Sequence, residues 1–417
     1  MVAGLLLTIP DLVALDLPAL VRSAGYSGTR TIGAVNYVLS LLALKLVGIR
    51  RVSHVDDLAA DPGAALFAGL TALPKATALT TYSYRGQHER QRALLAAPDS
   101  SMIKTGLITP GEMVFDLDFH AIMHWGTDPA LEKHYVPTRS QRSRSVLTFF
   151  AQDSGTHNLV YANADLAKAT QNREVIAFCD HWREASGADP HLLVMDQKVT
   201  TQQILGELDE RGVKFLTLRM RSAALLRQID DLPTTAWKAV ALDRDSRFRR
   251  PRVAEQTSVT LSNYPGTVRQ FTITGLGRAA PTVIITNDVD TSIKKLIERY
   301  ARRMCIEQRL AEAIRAFHLD ALAGAVNLNI DLDVALSVTA GAVCVALRRH
   351  LPGYASATPD TLQRRFIETS GKILYEDDRV TVCLDRRTYS PVLRQSDIPE
   401  TTVVPWWDNR ELHFRYT

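Results

Sequence analysis

Between residues 110 and 220 the hydrophobic pattern changes period in an order that few folds accept. Three β-type runs come first, "EMVFDLDFHAI" (112–122), "SVLTFFAQDS" (145–154) and "HNLVYANADL" (157–166), with "DSGT" (153–156) as a hairpin-length turn between the last two. A helical segment follows at about 173–185. Next, "HLLVMDQKVTTQQILGELDERG" (191–212) reads as a strand ending on Asp196, a polar turn, and a helix from about Thr200. "VKFLTLRM" (213–220) adds another strand. Hairpin-linked strands followed by strand–helix–strand predict a mixed sheet flanked by helices, an α/β architecture.

Inside the first run, Asp116 and Asp118 stand two positions apart among Val114, Phe115 and Leu117. On a strand they share a face. Two carboxylates on one face are costly unless water or a positive partner such as a metal ion meets them. Asp196 ends its strand at the carboxyl edge, where open α/β sheets place their chemistry.

The flanking regions divide the chain further. Residues 1–105 read as helical. "SHVDDLAADPGAALFAGLTALPKATALTTYSYRG" (53–86) offers two helices around a Gly-Leu turn, with Pro74 starting the second and Lys75, Thr77, Thr80 and Thr81 near its first turns. That is the outline of a helix-turn-helix, and equally of any small helical bundle. Residues 106–225 hold the sheet just described. Residues 226–286 carry short alternating runs ("WKAVALDR", "QTSVTLSN", "VRQFTITG", "PTVIITND") and are expected to form an antiparallel, all-β insertion. Helical periodicity returns over 287–350. There, "DTSIKKLIERYARRMCIEQRLAEAIRAF" predicts one helix capped by Asp290 or Thr291, with Glu307 on a mostly apolar stripe, and Arg303, its i−4 neighbour, available to pair with it. Residues 351–417 end in short strands such as "RVTVCLDRR" (379–387).

Composition narrows the function classes. Hydrophobic content of 46% and charged content of 23% describe a globular protein, and the net charge of +4 is compatible with nucleic acid without requiring it. Local basic runs are denser: "TRSQRSR" (138–144) and "RDSRFRRPR" (244–252) suit solvated loops or phosphate contact. The 4 cysteines form no CxxC pair, so neither a zinc ribbon nor a disulfide framework is expected. The apolar N-terminus carries Asp11 and Asp16 and lacks a basic leader, and "VALSVTAGAVCVALRRH" (334–350) is shorter than a membrane span. The expectation is a cytoplasmic protein. No phosphate-binding glycine motif and no GxSxG elbow is present. A zinc site from Asp118, His120 and His124 is not expected, because His124 falls past the strand.

Three carboxylates therefore stand out: Asp118, Asp196 and Glu307. Converging at a sheet edge, such a trio can hold two divalent ions about 4 Å apart, one activating an attacking hydroxyl and the other stabilising a leaving oxygen. Magnesium favours hard oxygen ligands of this kind.

Three stretches give the trio a family resemblance. "DFHAIMHWG" (118–126) resembles the first-strand motif of DDE-type insertion-sequence transposases, and favours Asp118 over Asp116 as the ligand. "LLVMDQKVTTQQIL" (192–205) is similar to the strand–Asp–turn–helix that carries the second acid. "YARRMCIEQRLAEAI" (300–314) matches the signature Tyr-x2-Arg-x3-Glu-x6-Lys at Tyr300, Arg303 and Glu307, and departs from it at Ile314, with Arg315 next along. The resemblance implies a ribonuclease H-like core, Mg²⁺ or Mn²⁺ at Asp118, Asp196 and Glu307 (with Asp116 close by), and a homodimer on DNA. It also implies cleavage at the element's terminal inverted repeats and transfer of the 3′-hydroxyl into target DNA. DNA contacts would come from Tyr300, Arg303, Arg315 and the basic Arg247, Arg249 and Arg250. Trp237 would stack on a displaced base in the β insertion. The competing expectations are an inactive, transposase-derived DNA-binding protein, motivated by Ile314, and a metal-dependent nuclease that does not transpose.

Overall fold

The computed structural model describes residues 1–83, 87–104, 108, 113–123, 132–136, 140–243, 250–277, 280–321 and 327–416. The N-terminal region is helical, as the sequence predicts: α1 (Ile9–Ala14), α2 (Leu17–Ser23), α3 (Ala34–Leu46), α4 (Pro62–Phe67), α5 (Ala76–Ser83) and α6 (His88–Lys104), with 3-10 turns at Ala3–Thr8 and Val52–Leu58. Asp61 starts α4 by accepting from the Gly63 and Ala64 amides, with Pro62 at the first helical position. The helix-turn-helix outline is not met. Residues 68–75 separate α4 from α5, and α5 packs on Val52–Leu58, α3 and α12 (Asn327–Arg349). Its Tyr82 ring stacks on Tyr37 of α3 at 4.1 Å.

The central sheet follows the expected order with one extra hairpin strand: β1 (Val114–Met123), β2 (Lys133–Val136), β3 (Gln141–Asp153) and β4 (Leu159–Asn163), then α7 (Glu174–Ser186), β5 (Leu192–Met195), α8 (Gln202–Glu210) and β6 (Lys214–Leu218). Thr201 caps α8 through the Ile204 amide. After β6 come α9 (Ala223–Asp230), β7 (Trp237–Ala239), β8 (Arg252–Thr260), β9 (Thr267–Thr274) and β10 (Thr282–Thr286). The strands lie in the order β2-β3-β1-β5-β6-β10-β9-β8-β7, with β4 also on β3. β1 runs antiparallel to β3 and parallel to β5, β5 parallel to β6, and β10 antiparallel to β6. The basic run at 138–144 thus enters β3, so Arg142 and Arg144 sit on the β2–β3 ladder.

The insertion over 226–286 is not all-β, because α9 runs into it. Leu225 and Ile229, one turn apart, bury against Val283, and Ser222 caps the helix through the Leu225 amide. Nor is the insertion a separate layer. The β-branched Val283, Ile284 and Ile285 of β10 join it edge-on to β6, so it widens the central sheet.

The helical continuation also differs from a single rod. It comprises α10 (Ile293–Arg302), α11 (Cys305–Phe317) and the long α12. At the junction the Arg303 amide bonds Tyr300 O and the Ile306 amide bonds Arg303 O, tight three-residue turns that replace the α pattern. Met304, an apolar residue of that run, is 63% exposed at this break. The N-cap is Ser292, one residue beyond Thr291 and two beyond Asp290, the two expected caps. The chain closes with α13 (Pro359–Leu362), β11 (Gly371–Tyr375), β12 (Arg379–Leu384), α14 (Ser390–Arg394), β13 (Thr401–Val404) and β14 (Arg410–Tyr416), whose strands form a second sheet in the order β11-β12-β14-β13.

The two ends of the chain share one core. Leu5, Leu42, Phe67, Leu310, Phe317, Val343, Phe366 and Leu412 belong to a single buried cluster spanning the N-terminal helices, α11, α12 and the C-terminal sheet. Gly4 permits the closest approach: its amide donates to Thr369 O, and a Cβ there would lie 1.8 Å from Phe366 O. Among the described residues one helical stretch, Ile330–Arg349, is long and apolar enough to cross a membrane, and 89% of that window is buried inside the molecule. Its apolar surface is therefore satisfied by the core.

Candidate active site

The alternation of β1 explains how carboxylates come to sit in an apolar run. Phe115 and Leu117 face α7 and α8, packed with Phe178, Trp182 and Leu208. Asp116 and Asp118 face the opposite side, where Leu296 and Ile297 of α10 pack with Leu192, Val194 and Leu216. The parallel register pairs Asp116 with Val194 and Leu117 with Met195. Asp118 and Asp196 each follow the Leu117–Met195 pair by one residue, so they emerge side by side from adjacent strands, which lie roughly 4.8 Å apart. The Asp196 side chain turns onto the Gln197 amide at 2.7 Å, and its backbone carbonyl accepts from Val199.

The two aspartates of β1 have different fates. Asp116 is 1% exposed and accepts from Arg299 of α10 at 2.8 Å and from the Ser154 hydroxyl at 3.2 Å, while Arg299 also bonds Ser154. Burial raises its pKa, and the Arg299 guanidinium pulls part of that rise back. Asp118 accepts from the Phe119 amide at 2.9 Å and meets Arg303 at 3.4 Å. Burial pushes it up to about 6, and the nearby Asp196 and Glu307 carboxylates add to the rise against the pull of Arg303. Asp116 is thus taken by a structural partner, and Asp118 is the member that shares its electrostatic surroundings with the other two acids.

The break between α10 and α11 delivers the rest. Glu307 lies in the first turn of α11, with its side chain 58% exposed and 3.9 Å from Arg303. The expected Arg303–Glu307 pair is therefore present, but Arg303 also reaches Asp118. Burial disfavours the Arg303 charge, yet Tyr300 and the carboxylates of Asp118, Asp196 and Glu307 together hold its pKa above the ordinary value. Its guanidinium stands 5.8 Å from the Tyr300 ring centre, and burial pushes the Tyr300 hydroxyl up to about 12. Arg303 Nε is buried without a hydrogen-bond partner among the described residues. His120 shares the Asp118 face, and burial lowers its pKa, which favours the neutral ring.

The remaining sequence-predicted residues lie elsewhere or outside the description. Arg315 is exposed on α11, while Ile314 packs against the large helical core. Trp237 begins β7 and packs on Leu225, Ile229 and Val283, with Arg252 5.9 Å from its ring centre. Arg250 is exposed. Arg247, Arg249 and the motif positions His124, Trp125 and Gly126 lie outside the described residues. The residue that sequence reasoning missed is Arg299, whose partner lies 183 positions away. Its only local signal is a cation one helical turn before Arg303.

As the side chains stand, no group of three or more His, Cys, Asp or Glu among the described residues is close enough to grip a metal ion. Arg303 is positioned between Asp118 and Glu307 instead. The donor chemistry nonetheless suits a hard divalent cation: three carboxylates, all oxygen, one of them with its proton affinity raised by burial and, to a smaller extent, by the other two. No protein-family model matches the sequence, and no curated protein does.

Proposed function

We propose that this chain is a DDE-type transposase whose Asp118, Asp196 and Glu307 would hold Mg²⁺ or Mn²⁺ at the carboxyl edge of the central sheet. The observation that carries the reading is that Arg303 pairs with both Asp118 and Glu307 while the β1–β5 register sets Asp196 beside Asp118, three acids from distant parts of the chain. The strand order β4-β3-β1-β5-β6, with β1 antiparallel to β3 and parallel to β5, is what a ribonuclease H-like core calls for, and it supports the same reading.

When bound, the divalent ion supplies Lewis-acid stabilisation of charge at the scissile phosphate. Asp118 would take part as the carboxylate, the form that predominates above about pH 6. Arg303, planar and permanently charged, exchanges its carboxylate partners for phosphate oxygens, a ligand its fork matches bidentately. Tyr300 braces that guanidinium, and Asp116–Arg299 fixes α10 so that both stay over the strand ends. The chain then cuts at the element's terminal repeats and joins the 3′-hydroxyl to target DNA, acting as a homodimer so that two ends are handled together.

The test is cleavage of labelled DNA carrying the element's flanking repeats, with Mg²⁺ or Mn²⁺, by wild type, Asp196→Ala and Glu307→Ala. Metal-dependent nicking at the repeat boundary, lost in both variants, is the expected result. Nicking retained by either variant would overturn the site. Binding without cleavage by any form would favour the inactive DNA-binding derivative, which Ile314 at the signature lysine position motivates.

A further inference from the structure

Beyond the carboxylate site, the C-terminal region carries a second feature with its own chemistry. Between β12 and β13 the chain forms an open cleft of about 670 Å³ lined by Arg386, Arg387, Thr388, Ser390, Pro391 and Arg394. All three arginines are exposed, and no ion pair ties any of them to a carboxylate among the described residues. Asp397, three positions past Arg394, is held by His350 at 2.7 Å, and Asp385, next to Arg386, is not part of the lining. The cleft is braced from below. The Arg387 amide donates to Ser390 Oγ at 2.9 Å, and Tyr389 is covered by the Arg365 guanidinium at 4.6 Å from its ring centre, which itself donates to Tyr354 Oη. Among the described residues the three exposed guanidiniums have no carboxylate partner, and only Arg387 is held, by the Glu368 carbonyl at 3.5 Å. With a hydroxyl rim on a braced turn they match a run of phosphate oxygens better than a carboxylate ligand of single charge.

We propose that this cleft holds the phosphate backbone of duplex DNA, as an anchoring surface separate from the carboxylate site. It rests on the reading that the chain acts on DNA. Phosphate contacts of this kind carry no sequence information, so they add affinity equally on any duplex. Three contacts contribute about 0.9 each to the slope of log K against log salt, roughly 2.7 in all. Between about 50 and 200 mM salt this corresponds to a ~40-fold larger fall in affinity for wild type than for a chain lacking the three charges.

The experiment measures binding of the full chain to a fluorescent duplex of arbitrary sequence across that salt range, with cleavage of the repeat-bearing substrate followed in parallel. The variants are R386A/R387A/R394A and R386K/R387K/R394K. The alanine variant is expected to lose about 2.7 from the slope, and the lysine variant to keep it, since charge and not side-chain shape sets the term. An unchanged slope in the alanine variant, or a wild type that binds no duplex, would overturn the proposal. Loss of slope in both variants would also overturn it, because misfolding and not charge would then be the cause. Failure of the catalytic reading appears separately, as wild type that binds with the full slope and does not cut.

Discussion

Replacing Arg299 by Met removes the guanidinium that meets Asp116 and leaves a carboxylate 1% exposed with only Ser154 of its two side-chain partners. An uncompensated buried charge of this kind costs about 3–5 kcal/mol. The carboxyl has an escape, however: it can take up a proton, which reduces the loss to that of a neutral hydrogen bond, about 1 kcal/mol. Burial already holds the Asp116 pKa above its ordinary 3.8, and Arg299 opposes that rise, so the variant's value climbs further. A raised folded-state pKa gives a contribution that is complete below the unfolded value and is lost as pH rises through the folded one. The variant therefore falls behind wild type as pH rises through the wild-type folded-state value, which itself lies above 3.8, and the deficit levels off above the variant's own value. Urea denaturation followed by circular dichroism is expected to give a deficit near ~1 kcal/mol in mild acid and ~3–5 kcal/mol in mild alkali. A second variant, D116L/R299M, replaces the pair with apolar groups and should recover most of the loss and abolish its pH dependence. A deficit that is small in alkali, or the same at both ends, would refute the buried-strut account.

Three further outcomes follow from the site. Mn²⁺ affinity, measured by direct titration, should weaken as pH falls through about 6, because the ion must displace the Asp118 proton; equal affinity on both sides of that value would exclude Asp118 as a ligand. Ile314→Lys, which would restore the family signature, should lower stability by about 1–2 kcal/mol in urea denaturation, because Ile314 packs on the helical core; it should leave cleavage no faster, whereas Arg315→Ala should weaken DNA binding. Trp237→Ala should cost roughly 2 kcal/mol as its small cluster loses its largest member, with Trp237→Phe nearly neutral. Unchanged stability together with stalled cleavage would instead give Trp237 a role on DNA.

What could be read ahead of the structure divides by range. The strand–helix order from β1 to β6 was legible because period-2 and period-3.6 patterns are local, and Asp196 could be placed because β5 is a short apolar run with a polar turn after it. Glu307 could be singled out in the helical run, but the helix break before it was not legible: the helical pattern runs through Arg303 and Met304 without a Gly or Pro to announce it. The widened sheet escaped notice for a different reason. A β10 that reads equally well as an insertion strand and as a neighbour of β6 has its pairing decided by long-range contacts. The short helices of residues 1–83 and the shared core of the two chain ends are likewise tertiary, since no local pattern tells Gly4 that its neighbour is Phe366. The residues most exposed to error were Asp116 and Asp118, identical in type and two positions apart, whose separate partners lie on α10 and at its end.

Those two aspartates show how charge accounting separates a structural acid from a chemical one. Asp116 is matched one to one by Arg299 and sealed from water, which is sufficient for holding a helix to a sheet. Asp118 shares the Arg303 guanidinium with Asp196 and Glu307, so three carboxylates face that one cation and, when all are ionised, leave two negative charges over. A fold needs no such surplus, and it adds to the rise that burial already gives the proton affinity of Asp118. A divalent cation cancels two charges, and one phosphodiester can then engage the freed Arg303. The imbalance around Arg303, more than the identity of any one acid, is therefore the physical reason to look for metal-dependent phosphodiester chemistry at this end of the sheet.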